Sequence, residues 1–225
     1  MPGTKRRRRE IPRSLWAFVL FMVLSLSCCL VQVFRPQDLS DLEPQQGEPS
    51  GVVRDLKAVC SQSIAGSYPL RLTEAEINGY FAKTLVMEQQ GALADWVKLE
   101  KVLVRLEQGR AELIMVRRCA GMTLTSSMFL KLEQTESSEG GVQTHIDIDG
   151  GVMAGLPFLR QGGRWGRLLL PQGFMVFVRP SYAALAAVFS EEIRLGFEEM
   201  ARVQIGDGVL ELDPRFDSGS SMMGF

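Results

Sequence analysis

An uncharged apolar stretch near the N-terminus, residues 14–34, constrains this chain more than any other feature of its sequence. A helix rises about 1.5 Å per residue, so a helix of this length spans the roughly 30 Å hydrocarbon core of a bilayer. Trp16 and Phe34 lie near its two ends, where aromatic rings favour the membrane interface. The sequence therefore predicts a transmembrane helix at residues 14–34.

The residues that flank this helix predict its orientation. Residues 1–13 carry six basic side chains and one acidic side chain, which favours a cytoplasmic N-terminus and an extracytoplasmic C-terminal domain. Two other interpretations stay open. A basic segment followed by an apolar run also describes a cleavable signal peptide, and residues 25–28 partly match the lipobox at which bacterial lipoproteins are lipidated on cysteine. All three interpretations place the rest of the chain outside the cytoplasm.

Charge outside this segment limits the class of partner. Of the 25 basic and 26 acidic residues in the chain, 19 basic and 25 acidic residues follow position 13. A mildly acidic domain has no general attraction to phosphate backbones, so nucleic-acid binding is not expected. The membrane is an expected partner because of the predicted transmembrane helix, and not because of charge.

Composition divides the remaining chain into three parts. Residues 35–51 are polar, contain three prolines and show no apolar period, which predicts a flexible linker with a reach of at most about 55 Å. Residues 52–216 are long enough for one exported globular domain. The Ser/Gly-rich residues 217–225 are expected to form a flexible tail.

Periodicity within the globular domain predicts an α+β fold. Thr73 and Glu76 form a capping box that starts a helix at Glu74. From about Trp96 the apolar period changes to two, and four meandering strands follow, with a bulge near Lys101. Residues 181–200 predict an amphipathic helix, before a last hairpin at residues 201–212. We expect a transmembrane helix, then a curled, long-stranded antiparallel sheet packed on two or three amphipathic helices.

Reactive side chains are scarce in this sequence. It contains one histidine, and no Ser-His-Asp order or phosphate-binding loop is apparent, so neither catalytic residues nor a cofactor is expected and the chain is not interpreted as an enzyme. His145, Asp147 and Asp149 could share a metal, but the same alternation is typical of a solvated strand face, and no metal site is assigned. Cys60 and Cys119 could form a disulfide or remain buried thiols.

The stretch from Gly162 to Pro171 combines glycines, two arginines and a tryptophan. Arg meets phosphate and Trp prefers the membrane interface, which makes Arg164, Trp165 and Arg167 candidate membrane-interface residues. The competing interpretation is a loop that enters a buried strand.

The order of these features resembles a known group of proteins. An N-terminal anchor, a polar linker, the box Leu-Thr-Glu-Ala-Glu-Ile-Asn at residues 72–78, a meander of long strands and Gly-x-Leu-Leu-Leu-Pro at residues 166–171 are similar to the YpmS-like and LmeA-like bacterial envelope proteins, and through them to the tubular lipid-binding superfamily. The resemblance implies an apolar groove that holds lipid. Its candidate lining residues are Met122, Leu124, Met128, Leu130, Ile146, Ile148, Phe174, Val176 and Phe189.

Two functions are therefore expected to compete. The first is a membrane-tethered, non-enzymatic envelope domain that binds a lipid or another apolar ligand in the groove. The second is a structural or assembly factor that docks an envelope protein through the same domain and has a packed core. An apolar cavity favours the first function, and a filled core with an exposed apolar patch favours the second.

Overall fold

The computed structural model describes residues 13–42, 54–85, 97–136 and 142–215. The predicted cytoplasmic segment up to residue 12, the predicted linker from residue 43 and the predicted tail at residues 217–225 lie outside these ranges. Within them the α+β architecture is confirmed, with an apolar N-terminal helix and a large antiparallel sheet. The curl of the sheet stays a prediction.

Five α-helices occur in the described ranges, and the sequence around them explains where they begin. The Thr73 hydroxyl accepts the Glu76 N–H at 3.3 Å while the Glu76 carboxylate accepts the Thr73 N–H at 2.8 Å, so the predicted capping box is present. Asp55 caps the preceding helix through its carboxylate. The helices are α1 Arg13–Phe34, α2 Leu56–Gly66, α3 Glu74–Thr84, α4 Arg179–Val188 and α5 Ser190–Ile193.

α1 is long and apolar enough to cross a membrane over Ser14–Phe34, and none of that span is buried within the protein. This confirms one candidate membrane helix near the N-terminus. Its orientation stays a prediction.

The strands form two antiparallel sheets. The smaller sheet has the order β1-β10-β9, and in the larger sheet β3 lies between β2 and β4. The opposite edge of β4 pairs with β5 along one half and with β7 along the other. The strands are β1 Leu70–Thr73, β2 Val97–Glu107, β3 Arg110–Cys119, β4 Met122–Glu136, β5 Val142–Ile148, β6 Val152–Met153, β7 Leu156–Trp165, β8 Leu168–Pro171, β9 Arg202–Gly206 and β10 Val209–Asp213.

Several predicted details are confirmed and one is wrong. The meander of β2 to β5 is present, and a register shift between Leu99 and Lys101 is the expected bulge. The late helix is not continuous over residues 181–200. A 3₁₀ helix at Gln172–Phe177 precedes α4, Phe189 separates α4 from α5, and a π-helical turn at Arg194–Glu198 follows.

One face of the large sheet forms the main core with the helices and the small sheet. Met115, Met128, Met175 and Met200 are buried in this core with Phe189. Unbranched methionine fits irregular gaps between helix and strand. The opposite face carries a smaller apolar cluster of Leu39, Leu42, Leu103 and Ile114.

Candidate functional site

The hairpin of β7 and β8 holds the C-terminal end of α1. Gly166 in its turn has φ +54°, and any side chain there would overlap the carbonyl oxygens of Gln32, Val33 and Arg35. The Arg167 N–H donates to the Gln32 carbonyl at 2.9 Å. Glycine is therefore required where the hairpin caps the last turn of α1.

Residues 35–42, which we call the strap, continue from α1 across the outer face of the large sheet. The Gln37 N–H donates to Thr125 Oγ1 at 3.0 Å, and Gln37 Nε2 donates to Ser127 Oγ at 3.2 Å. Leu39 and Leu42 pack on the apolar cluster of β2 and β3. This part of the predicted linker contacts the domain. The sequence predicted a flexible coil that extends away from it.

A buried carboxylate lies beneath the strap. The Glu112 side chain is 1% exposed. It accepts the Ser127 hydroxyl at 2.6 Å and Arg105 Nη1 at 2.9 Å, and Arg164 Nε lies 3.5 Å away. Such a carboxylate is retained at low cost only while these donors remain.

Arg105 joins the strap to this buried charge. Its Nε and Nη2 donate to the two oxygens of the Asp41 carboxylate at 3.0 and 2.9 Å, and Nη2 also donates to the Asp38 carbonyl at 3.1 Å. Burial acts to lower the pKa of Arg105, but the Asp41 and Glu112 carboxylates outweigh it and raise the pKa. The guanidinium is thus a permanent cation that links Asp41 to Glu112.

The strap and the sheet border an open cleft of about 510 Å³ that is lined by polar and charged residues. Two buried atoms of its lining residues, Gln37 Oε1 and Arg164 Nε, have no hydrogen-bond partner. The Ser40 hydroxyl and N–H bind the Asp38 carboxylate and lower its pKa, so Asp38 is ionised at neutral pH. The cleft is lined by Gln37, Asp38, Ser40, Asp41, Arg105, Arg164 and Arg167.

The three candidate interface residues share the hairpin but not one surface. Arg164 lies on the outer face, where its guanidinium stacks over the Phe129 ring at 5.4 Å. Trp165 pairs with Ser126 on the inner face and is 38% exposed. Arg167 is exposed in the turn, and its Nε donates to the Pro36 carbonyl at 3.3 Å.

The nine candidate lining residues divide among three environments. Met128 and Phe189 are buried members of the main core, and three others pack against it or are half-buried: Leu124, Leu130 and Ile148. The remaining four are exposed: Met122, Ile146, Phe174 and Val176. The core positions are therefore occupied by packed side chains, whereas Phe174 and Val176 belong to a surface.

That surface is the 3₁₀ helix at Gln172–Phe177. Phe174, Val176 and Phe177, which we call the apolar patch, are 55%, 63% and 72% exposed. Met175 between them is buried against Gly162 and Gly163 of β7, so the helix is held while its neighbours face outward. Phe177 is not among the candidate lining residues, although it belongs to the same apolar run as Phe174 and Val176.

Other reactive side chains have structural partners. The Asp149 carboxylate accepts hydrogen bonds from Arg160 and from the Gly151 N–H, and this arrangement lowers its pKa. All four cysteines lie in the described residues as free thiols, and burial raises the pKa of Cys60.

No family model, curated protein or solved structure matches this chain.

Proposed function

We propose that this chain is a membrane-anchored, non-enzymatic envelope domain that binds lipid of its own membrane through the apolar patch. α1 is the anchor, and the patch supplies the apolar contact that the resemblance to YpmS-like and LmeA-like proteins implies. The curled groove expected from that resemblance is replaced in this proposal by an open surface. The exposure of Phe174, Val176 and Phe177 is the observation that carries it.

The distance between the patch and the end of α1 supports this proposal. Gln172 Nε2 donates to the Ile148 carbonyl at 2.7 Å, and Ile148 pairs with Leu130 on β4. The hairpin turn bonds to Thr125, five residues earlier on β4. Strand residues rise about 3.3 Å each, so the patch begins about 16 Å along the sheet from that turn.

The chain then returns toward the anchor. The Tyr182 hydroxyl, five residues after Phe177, donates to the Ser126 carbonyl at 3.0 Å, and Ser126 pairs with Trp165 beside the turn. The residues that precede and follow the patch along the chain are thus held at these two levels. An acyl chain that fills half of a bilayer core is about 15 Å long, which is enough to join the patch to the membrane surface.

Lipid retention tests the proposal. The full-length chain, extracted in mild detergent from vesicles of phosphatidylethanolamine and phosphatidylglycerol, is expected to keep about one lipid per chain by native mass spectrometry. The double variant Phe174→Ser, Phe177→Ser is expected to lose most of this lipid, because each change removes exposed apolar area.

Phe158→Ser is the matched control. Phe158 is 80% exposed on β7, outside the patch, so its loss is expected to leave lipid retention unchanged. Equal retention by the wild-type chain and the double variant would count against the proposal, as would a wild-type chain free of lipid.

A specific observation favours a second function, the docking of a protein partner by an assembly factor. The core positions are filled, and Leu156 and Phe158 expose a separate apolar surface on β7. If Phe158→Ser abolishes function in cells while the double variant retains it, the docking function is the better one.

A further inference from the structure

The cleft beneath the strap contains a buried acceptor without a hydrogen bond, Gln37 Oε1, and the Arg164 guanidinium, whose Nε lies 3.5 Å from the Glu112 carboxylate. A buried polar atom without a hydrogen-bond partner is costly, so a group that donates to Gln37 Oε1 and accepts from the Arg164 guanidinium would gain both interactions. Such a group must offer a donor at one end and an acceptor at the other.

Charge around the cleft selects the same kind of group. Arg105, Arg164 and Arg167 supply three cations, and Asp38 and Asp41 supply two anions at the surface with Glu112 beneath them. The two signs balance, so a net anion or a net cation gains little from the cleft as a whole. A zwitterion that places its negative end on Arg164 and Arg167 and its positive end on the aspartates matches it.

The position of the cleft limits the source of that zwitterion. Gln37 follows Phe34, the last residue of α1, by three positions, so it lies at most about 10 Å beyond the apolar span. The headgroup layer of a bilayer extends about 5–8 Å beyond its hydrocarbon core. Part of the cleft therefore lies at headgroup depth when α1 crosses the membrane.

We propose that the cleft binds the headgroup of a zwitterionic phospholipid that carries a primary ammonium. Its phosphate accepts hydrogen bonds from the Arg164 and Arg167 guanidinium groups. Its ammonium donates to Gln37 Oε1 and to the free lone pairs of the Asp38 and Asp41 carboxylates. This inference rests on the membrane anchoring in the proposed function, but not on the apolar patch.

Binding of short-chain lipids to the full-length chain in detergent tests this site. The probes are dihexanoyl phosphatidylethanolamine, dihexanoyl phosphatidylglycerol, glycerophosphoethanolamine and inorganic phosphate, each titrated by native mass spectrometry. We expect the ethanolamine lipid to bind at least tenfold more tightly than the glycerol lipid. We expect Arg164→Gln and Arg167→Gln each to weaken it by tenfold or more, because each removes a charged donor to phosphate.

Arg179→Gln is the matched control, because Arg179 is exposed at the start of α4, outside the cleft. It is expected to bind the ethanolamine lipid as the wild-type chain does. Arg164 also packs on Phe129, so Arg167→Gln, at an exposed position, keeps the test valid if Arg164→Gln unfolds the domain.

Three results would overturn the inference: equal binding of the two lipids, binding of inorganic phosphate as tight as that of the ethanolamine lipid, or no binding of any probe, as when water alone fills the cleft.

The apolar patch is tested separately. Lipid that is lost from the Phe174→Ser, Phe177→Ser variant while the cleft binds no headgroup would remove this inference and leave the proposed function. If the cleft binds the headgroup but the wild-type chain and this variant retain lipid equally, the proposed lipid binding by the patch would be removed and this inference would remain.

Discussion

Glu112 lies at the centre of the hydrogen bonds on the outer face of the large sheet. Its carboxylate is buried beneath the strap and is held by Ser127 and Arg105. Glu112→Gln removes the charge and leaves Arg105 with Asp41 alone, so we expect the free energy of unfolding to fall by about 3 kcal/mol. Chemical denaturation of the full-length chain in detergent measures this loss.

The control for that prediction is Glu133→Gln. The Glu133 carboxylate pairs with Lys131 at 2.7 Å, but both side chains are exposed, so the expected loss is much smaller than that of Glu112→Gln. Equal losses at positions 112 and 133 would show that burial beneath the strap does not matter.

A second prediction for a single residue concerns Tyr80 and the pH dependence of stability. Burial and the hydrogen bond to the Glu192 carboxylate, at 2.6 Å, raise the pKa of Tyr80 to about 12. An unfolded tyrosine has a pKa of about 10, so its contribution to stability is complete below pH 10 and is lost as the pH rises to about 12.

The variant Tyr80→Phe is therefore expected to lose less stability between pH 10 and 12 than the wild-type chain. The slope in that window should be smaller by up to about 1.4 kcal/mol per pH unit. Absorbance at 295 nm should lack the ionisation step near pH 12. If the variant keeps that step, the shift belongs to another tyrosine.

Residue patterns predicted which side chains share a face of a strand, but not whether that face is exposed to solvent. Thr125 and Ser127 alternate along β4 with Leu124 and Met128, a pattern that is typical of a strand with one polar face. Both are buried, because the strap covers them and Gln37 supplies the hydrogen bonds that solvent would have made. No local signal in residues 35–42 indicates this contact, which depends on residues about 90 positions away.

At the scale of elements, Gly166 joins α1 to the hairpin of β7 and β8. Gly166→Ala is expected to disrupt this contact, because the added methyl group overlaps three carbonyl oxygens at the end of α1. Hydrogen exchange of the Gln32–Gln37 amides should increase by at least tenfold, since the strap loses its hinge contact.

Gly208→Ala separates this effect from backbone strain. Gly208 has φ +67°, and an added Cβ there meets nothing within 4 Å. Both variants bear the strain of about 1 kcal/mol that alanine has in this region, but only Gly166→Ala should expose the strap. Similar exchange in the two variants would contradict the contact.

Short sequence patterns predicted the elements that depend only on residues close together in the chain. The capping box of α3, the bulge at Leu99 and the turns of the meander follow from short sequence patterns. β7 was not predicted as a strand because Pro157, Gly162 and Gly163 are atypical of one. Gly162 and Gly163 are required there because any side chain would overlap Met175 or the Ser127 carbonyl. That requirement arises only after the chain has folded.

For the whole molecule, the strap changes what membrane anchoring would mean. A flexible linker would let the domain reorient freely, whereas a docked strap and a capped α1 would hold the domain in one orientation at the bilayer. The apolar patch and the polar cleft would then meet the membrane in a fixed geometry. Whether a residue contacts lipid would then depend on its place in the structure, and this contact can be measured residue by residue.

Photo-cross-linking in vesicles of phosphatidylethanolamine and phosphatidylglycerol measures it most directly. The full-length chain carries p-benzoylphenylalanine in place of Phe177, or, as the control, in place of Gln204. Gln204 is exposed on β9 beside Val203, whose N–H donates to Gln134, nine positions and about 30 Å along β4 from Thr125. We expect lipid adducts at position 177 and few at position 204. Equal labelling at both positions, or none at position 177, would contradict lipid binding by the apolar patch.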